Sequence, residues 1–187
     1  MNNTTIKIIV MVISILLLTI SCEDDNPIAI YNPESGNISG TVTFSGEWPE
    51  TGTISISLNS SWPPTGAPTA YKTIELDDLN SENQYNYSFE NVIFDTISAI
   101  AVSWQDPEDD NDATNQHVLG AYGGEYPFVS TYGGIDPTTV TVSDSLFELN
   151  DMDFNANLMY VNACSKQTTQ EECDALDHCM WTPTGCY

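Results

Sequence analysis

The stretch Gly36-Asn-Ile-Ser-Gly-Thr-Val-Thr-Phe44 alternates apolar and polar side chains with a period of two. Such alternation predicts a β-strand with one buried face, because successive side chains of an extended chain point to opposite sides. Segment 97–104 is apolar almost throughout, as expected of a central strand covered on both faces. The same alternation as in the first stretch returns at 54–58, 85–90, 139–143 and 151–155.

These segments are separated by Gly, Pro and Asn, and no long helical pattern interrupts them. About seven short strands of this kind predict an all-β fold, an antiparallel seven-stranded β-sandwich over residues 37–158. A domain of that length buries close to two thirds of its unfolded surface, which is enough for an independent core.

The N-terminal segment has the layout of a secretory signal. Lys7 precedes an apolar run at 8–20, and Ser21 and Cys22 follow it. The run is shorter than the roughly 20 apolar residues that span a bilayer. We therefore predict a signal peptide at 1–21 and an acidic flexible tether at 22–36. An ordinary cleaved signal followed by an incidental cysteine is the alternative.

The ending Leu18-Thr-Ile-Ser-Cys22 resembles the lipobox of bacterial lipoproteins. This resemblance implies that the Cys22 thiol is acylated and becomes the new N-terminus. The acids that follow, Glu23-Asp24-Asp25, resemble the surface-export pattern of Bacteroidetes lipoproteins. Together the two resemblances imply a protein held by lipid in the bacterial cell envelope, at the outer membrane.

The charge balance is strongly acidic, with 27 Asp and Glu against three Lys and Arg, for a formal net charge of −24. Nucleic acid is excluded as a partner because its binding relies on Lys and Arg neutralising phosphates. A basic patch for lipid headgroups is excluded for the same reason. Such a surface attracts cations, Ca²⁺ above all, or serves solubility alone.

The run Asp106-Pro-Glu-Asp-Asp-Asn-Asp112 is the most acidic segment of the predicted domain. Oxygen ligands at alternate positions are what Ca²⁺ coordination in a loop requires, although the EF-hand spacing is not met. The run therefore indicates either a calcium site or a solvated acidic loop without a metal. The candidate metal ligands are Asp106, Glu108, Asp110 and Asp112.

Two Tyr-Gly-Gly motifs begin at Tyr122 and Tyr132, with Tyr126 between them. Exposed aromatic rings beside small residues can form a binding platform for carbohydrate or peptide. The alternative is a Gly-bent hairpin whose tyrosines pack on the end of the sandwich. The repeated Trp-Pro-x-Thr-Gly motif, at 48–52 and 62–66, predicts turns with a packing tryptophan.

The sequence offers little for catalysis. It has no nucleophile elbow, phosphate loop or paired metal-binding histidines. We predict that the protein is not an enzyme and has no catalytic residues. A hydrolase whose site assembles from loops around His117 is the alternative from another functional class.

The last 24 residues hold four cysteines, an even number left once Cys22 is assigned to lipid. In an exported chain this pattern predicts two disulfides in a small C-terminal unit, 159–187. A zinc site of four thiolates is the alternative. Among the three possible pairings we choose Cys164–Cys179 with Cys173–Cys186. Thr169 and Glu172 predict a capping box opening one short helix.

Three stretches resemble carboxypeptidase regulatory-like domains: the opening 36–44, 87–100 and 140–154. That family has a transthyretin-type sandwich and is mostly structural or accessory. The cysteines and Trp181 of the tail resemble the small repeats of plexins, semaphorins and integrins. These resemblances imply a non-catalytic module. We predict that it acts in binding or as a structural element, with carbohydrate or another envelope protein as its partner.

Overall fold

The computed structural model describes residues 33–111, 115–161, 164, 167–176, 179, 181–182 and 185–186. Cys22, the apolar run before it and Asp112 lie outside these described residues. Pro33–Tyr187 form one compact unit. Within the described ranges, no helix has the length and apolar character needed to cross a membrane.

The described chain is rich in strands and contains one short α-helix, α1, at Gln170–Asp174. The strands are β1 Ser35–Ser45, β2 Thr53–Asn59, β3 Ala70–Ile74, β4 Gln84–Ile93, β5 Thr96–Ile97, β6 Ala99–Gln105, β7 Gln116–Ala121, β8 Val140–Thr141, β9 Glu148–Leu149, β10 Phe154–Asn157, β11 Trp181–Thr182 and β12 Gly185–Cys186.

The first sheet is built around β1. This strand pairs antiparallel with β4 on one side and parallel with β9 and β10 on the other. Its apolar positions Ile38, Val42 and Phe44 are buried, whereas its serines and threonines are more accessible to solvent. The alternation read from the sequence therefore corresponds to the inner and outer faces of this sheet.

The second sheet has the order β3-β2-β6-β7, with every neighbouring pair antiparallel. Its central strand β6 is covered on both faces, as the apolar run at 97–104 predicts. Ile100 and Val102 belong to the main core, whereas Ala101 packs with Ala121 and Phe128 in a separate cluster on the other face.

One hydrophobic core joins the two sheets. It combines buried side chains of the first sheet, such as Ile38 and Phe89, with Ile56, Val102 and Leu119 of the second. Burying a side chain of this size stabilises the fold by about 1.5–3 kcal/mol relative to leaving it exposed. The prediction of an all-β, sandwich-like fold is confirmed at this level.

The all-antiparallel prediction is wrong for the parallel side of β1. The backbone of Met152 passes so close to Gly40 that a Cβ there would overlap it. Between β9 and β10, the Thr41 N–H donates to Asp153 Oδ1 at 2.7 Å instead of to a strand carbonyl. Side-chain alternation marks a strand without indicating its direction, so this pairing is not visible in the sequence pattern.

Strands β3 and β7 of the second sheet were not predicted, and neither were the two-residue strands β9, β11 and β12. In β3, Tyr71, Lys72 and Thr73 are consecutively exposed, so a period of two is lost at this sheet edge. The predicted strand 139–143 shortens to the two residues of β8, which pair with β5.

The C-terminal segment contains the predicted helix and disulfides. The Thr169 side chain accepts a hydrogen bond from the Glu172 N–H at 3.2 Å, and the Glu172 carboxylate accepts from the Thr169 N–H at 3.0 Å. This reciprocal capping box starts α1 and confirms that prediction. The structure also pairs the cysteines as chosen, Cys164 with Cys179 and Cys173 with Cys186.

Candidate functional site

The acidic loop between β6 and β7 is organised by its own carboxylates. Asp106 Oδ1 accepts the Glu108 N–H at 2.9 Å, and Asp109 Oδ1 accepts the Asn111 N–H at the same distance. The Asp106 N–H donates to the Asn115 carbonyl at 2.8 Å. Asp106 is only 3% exposed. Short Asp side chains favour such local bonds to the backbone, which explains how an acidic run can form an ordered loop.

A recess of about 290 Å³ lies against this loop. Of the four predicted metal ligands, the structure places Asp106 and Asp110 in its wall, but not Glu108, and Asp112 lies outside the described residues. Asp109 and Asn115 line the recess and were not predicted as ligands. The other lining residues are Gly52, Thr53, Gln105 and Pro107.

The carboxylates of the recess do not converge on one point. Among the described residues, only the cysteines of the C-terminal unit bring three possible metal-binding atoms within 4.8 Å of one another. A Ca²⁺ ion at the acidic loop would therefore have to draw these carboxylates together. Coordination by six to eight oxygens would also require backbone carbonyls, amides or waters.

His117 lies on β7, where its cross-strand partner on β6 is Trp104. The two ring centroids are 5.4 Å apart at an angle of 45°. Trp104 Nε1 donates to the Thr51 carbonyl at 2.8 Å, which fixes the ring. His117 Nε2 is buried and has no hydrogen-bond partner among the described residues. The hydrolase alternative would need His117 to face a hydroxyl or carboxylate, and the described residues supply neither at Nε2.

Burial lowers the pKa of His117 from its ordinary value, and the nearby Asp109 opposes that shift. The folded protein therefore binds a proton at His117 less readily than the unfolded chain does. Above about pH 6.5, the ordinary histidine value, the titration of His117 therefore does not change the free energy of unfolding. As the pH falls below that value, its titration lowers the free energy of unfolding.

We expect His117→Gln to make the unfolding midpoint less sensitive to acid. Between pH 7.5 and 5.5, the wild-type urea midpoint should fall more than that of the variant, because the variant lacks the buried imidazole. Urea unfolding at several pH values measures this difference. Parallel pH curves for the two proteins would contradict the assigned environment of His117.

Among the three tyrosines predicted to form a binding surface, only Tyr132 has a largely exposed ring, at 79%. Tyr122 is half-buried against the main core. Tyr126 is also half-buried and stacks on Tyr160, with ring centroids 4.1 Å apart at 28°. The three tyrosines therefore do not share one exposed platform, and Tyr122 and Tyr126 pack as in the hairpin alternative.

The loop that carries Tyr132 is held by short contacts. The Glu125 and Ile135 backbones exchange two hydrogen bonds of 3.0 Å. Asp136 accepts from both the N–H and the hydroxyl of Ser130, at 2.9 and 2.6 Å, and these bonds lower the pKa of its carboxyl. Gly133, with φ of 91°, lets the chain turn immediately after Tyr132.

Trp62 packs against the loop that carries Tyr132, at Phe128. Its Nε1 donates to the Phe128 carbonyl at 2.6 Å, and its ring packs on the cluster of Ala101, Ala121 and Phe128. Trp48 of the first Trp-Pro-x-Thr-Gly motif packs edge-on against Phe44, with centroids 5.6 Å apart. Both tryptophans pack as the turn prediction proposes. The sequence did not predict the contact of Trp62 with the loop that carries Tyr132.

In the C-terminal unit the buried core is made of cysteines. Cys164, Cys173 and Cys186 are buried, with Cys179 and Trp181 packed against them. The Tyr126 hydroxyl lies 3.7 Å from Cys164 Sγ, which places this core against the loop that carries Tyr126 and Tyr132.

Comparison with protein-family models, curated proteins and solved structures finds no match to this chain.

Proposed function

We propose that this protein is a lipid-anchored lipoprotein of the bacterial cell envelope that acts as a non-catalytic binding or structural module. The observation that carries the proposal is the pair of disulfides in a chain whose Cys22 follows a secretory-type apolar run. Disulfides persist in oxidising compartments outside the cytosol. Strand β1 begins at Ser35, one residue before the predicted end of the tether, so the segment between Cys22 and Ser35 then links the folded domain to the acylated cysteine.

The fold proposed for this module is a seven-stranded sandwich of the transthyretin type, similar to carboxypeptidase regulatory-like domains. Strands β1, β4 and β10 of one sheet and β2, β3, β6 and β7 of the other enclose one core, and these seven strands support this assignment. The additional short strands, β5 with β8 and β9, are appended to that framework. A domain of this kind presents loops at its ends for contact with a partner.

A second candidate function is Ca²⁺-dependent binding of carbohydrate or peptide. The recess lined by Asp106, Asp109 and Asp110 favours it, because it places acidic groups around a concave space. The exposed Tyr132 ring offers an apolar face of the kind that stacks on sugars or peptide side chains. Net negative charge also favours a cation as the first ligand.

Replacing Cys22 tests the anchor directly. We expect wild-type protein to sediment with membranes and Cys22→Ser to be released or to remain as an unprocessed precursor. One acyl chain gives only marginal membrane binding, so a stable anchor implies at least two. Membrane fractionation and intact-mass measurement of the N-terminal peptide provide the readout.

The matched control is Ser21→Ala, which keeps a small residue before the cysteine and should leave membrane partition unchanged. A wild-type N-terminus without lipid mass would refute the lipoprotein assignment. Retention of both variants on the membrane would show that something other than Cys22 holds the protein there.

A further inference from the structure

The two disulfides of the C-terminal unit lie side by side. The Sγ atoms of Cys164, Cys179 and Cys186 are all within 4.8 Å of one another, and Cys173 is bonded to Cys186. Three of the four sulfurs therefore lie close together, and the fourth, that of Cys173, is joined to this group through its bond to Cys186. The S–S bond joins two of these three sulfurs, and the fold brings Cys186, which belongs to the second bridge, beside them.

The unit depends on this sulfur cluster for its interior. Its buried described residues are the three cysteines 164, 173 and 186, with Cys179 and Trp181 against them. A segment this short buries too little apolar surface to fold alone and requires a covalent or metal cross-link. A single metal ion bound to all four sulfurs would supply this cross-link, just as the two bridges do.

We propose that the reduced C-terminal unit binds one Zn²⁺ through the four thiolates of Cys164, Cys173, Cys179 and Cys186. Tetrahedral zinc with Zn–S distances of about 2.3 Å places its sulfurs about 3.8 Å apart. Three of the sulfurs already lie within 4.8 Å of one another. Each bonded pair of sulfurs, about 2 Å apart in a disulfide, would separate by about 1.8 Å to reach this spacing.

The chemical step is a balanced reduction followed by metal binding. A dithiol or a phosphine gives two electrons to each disulfide, the S–S bond breaks, and two protons complete the thiols. Zn²⁺ then replaces the four thiol protons, which are released to solvent. Both states cross-link the same four positions, so the helix α1 and the β11–β12 pair would persist in each.

The geometry of α1 and the β11–β12 pair supports a preserved site. Cys173 is held on the buried side of α1, whose first turn is fixed by the capping box at Thr169 and Glu172. Cys186 pairs with Trp181 across β11 and β12. The Cys179 N–H donates to the Leu176 carbonyl at 2.9 Å.

A cobalt titration tests the proposal, with Co²⁺ standing in for Zn²⁺. The sample is the full chain carrying Cys22→Ser, kept in detergent, so that the four tail cysteines supply its only thiols. After reduction by a phosphine without oxygen, we expect one equivalent of Co²⁺ to produce thiolate charge-transfer and tetrahedral ligand-field bands. One equivalent of Zn²⁺ should remove them and protect all four thiols from alkylation.

Two controls make the outcome decisive. The oxidised protein should show no cobalt bands, and Cys173→Ser in the same background should weaken metal binding by more than about tenfold, since even an outer-shell change costs that much. Reduced protein without the bands, with fewer than four protected thiols, or with equal affinity after Cys173→Ser would overturn the proposal.

Discussion

Replacing Cys173 and Cys186 together by alanine should destabilise the C-terminal unit by about 3 kcal/mol, because the bridge closes a short loop in the unfolded chain. That change corresponds to about a hundredfold increase in the population of the open unit. Both sulfurs are buried at the centre of the unit, so few other contacts compensate for their loss. Alanine avoids burying a hydroxyl group, which serine would introduce.

Hydrogen exchange measured by mass spectrometry provides the readout, in peptides covering 167–176 and, for comparison, the central strand β6. We expect faster exchange in the former and unchanged exchange in the latter. The matched variant Cys164→Ala/Cys179→Ala removes the other bridge, which closes a loop of similar size, and should act similarly. Unchanged exchange in 167–176 after loss of Cys173–Cys186 would show that the bridge does not hold the helix.

The strands that the sequence predicts correctly are those with one fully buried face. In β1 the apolar side chains of Ile38, Val42 and Phe44 all reach the core, so the alternation is complete. The edge strand β3 has only Ile74 buried, and its pattern is correspondingly absent. Periodicity records burial, so a strand that buries little leaves little trace in the sequence.

Strand direction and sheet order depend on distant contacts that no local pattern contains. Beside β1, the chain passes from β9 to β10 so close to Gly40 that a Cβ there would overlap the Met152 backbone. At the next residue, the Asp153 carboxylate accepts the Thr41 N–H in place of a strand carbonyl. Each residue is compatible with several local roles. Their joint role becomes apparent only when the chain is folded.

The candidate site shows the same limit. The alternate spacing of Asp106, Glu108, Asp110 and Asp112 predicts four ligands on one side of an extended loop. The structure contains local turns at Asp106 and Asp109, which rotate the chain and bring Asp109 into the recess in place of Glu108. A proline at 107 after an aspartate was the available signal for the first turn.

Millimolar Ca²⁺ should raise the thermal midpoint of the wild-type protein if the recess at the acidic loop is a calcium site. The five carboxylates of 106–112 repel one another, and a bound cation relieves that repulsion. Binding to the folded state alone would stabilise it by about 2.7 kcal/mol when Ca²⁺ is present at about 100 times its Kd.

The variant Asp109→Asn/Asp110→Asn should abolish this shift, because it removes two charges from the recess wall. Asparagine at 109 keeps the side-chain oxygen that accepts the Asn111 N–H, so the loop conformation is retained. The matched control is Glu108→Gln/Asp144→Asn, which removes two exposed charges outside the recess lining and should leave the shift intact. Calcium-induced shifts of equal size in both double variants would assign the effect to general charge screening. No shift in wild-type protein would identify the loop as a solvated acidic surface.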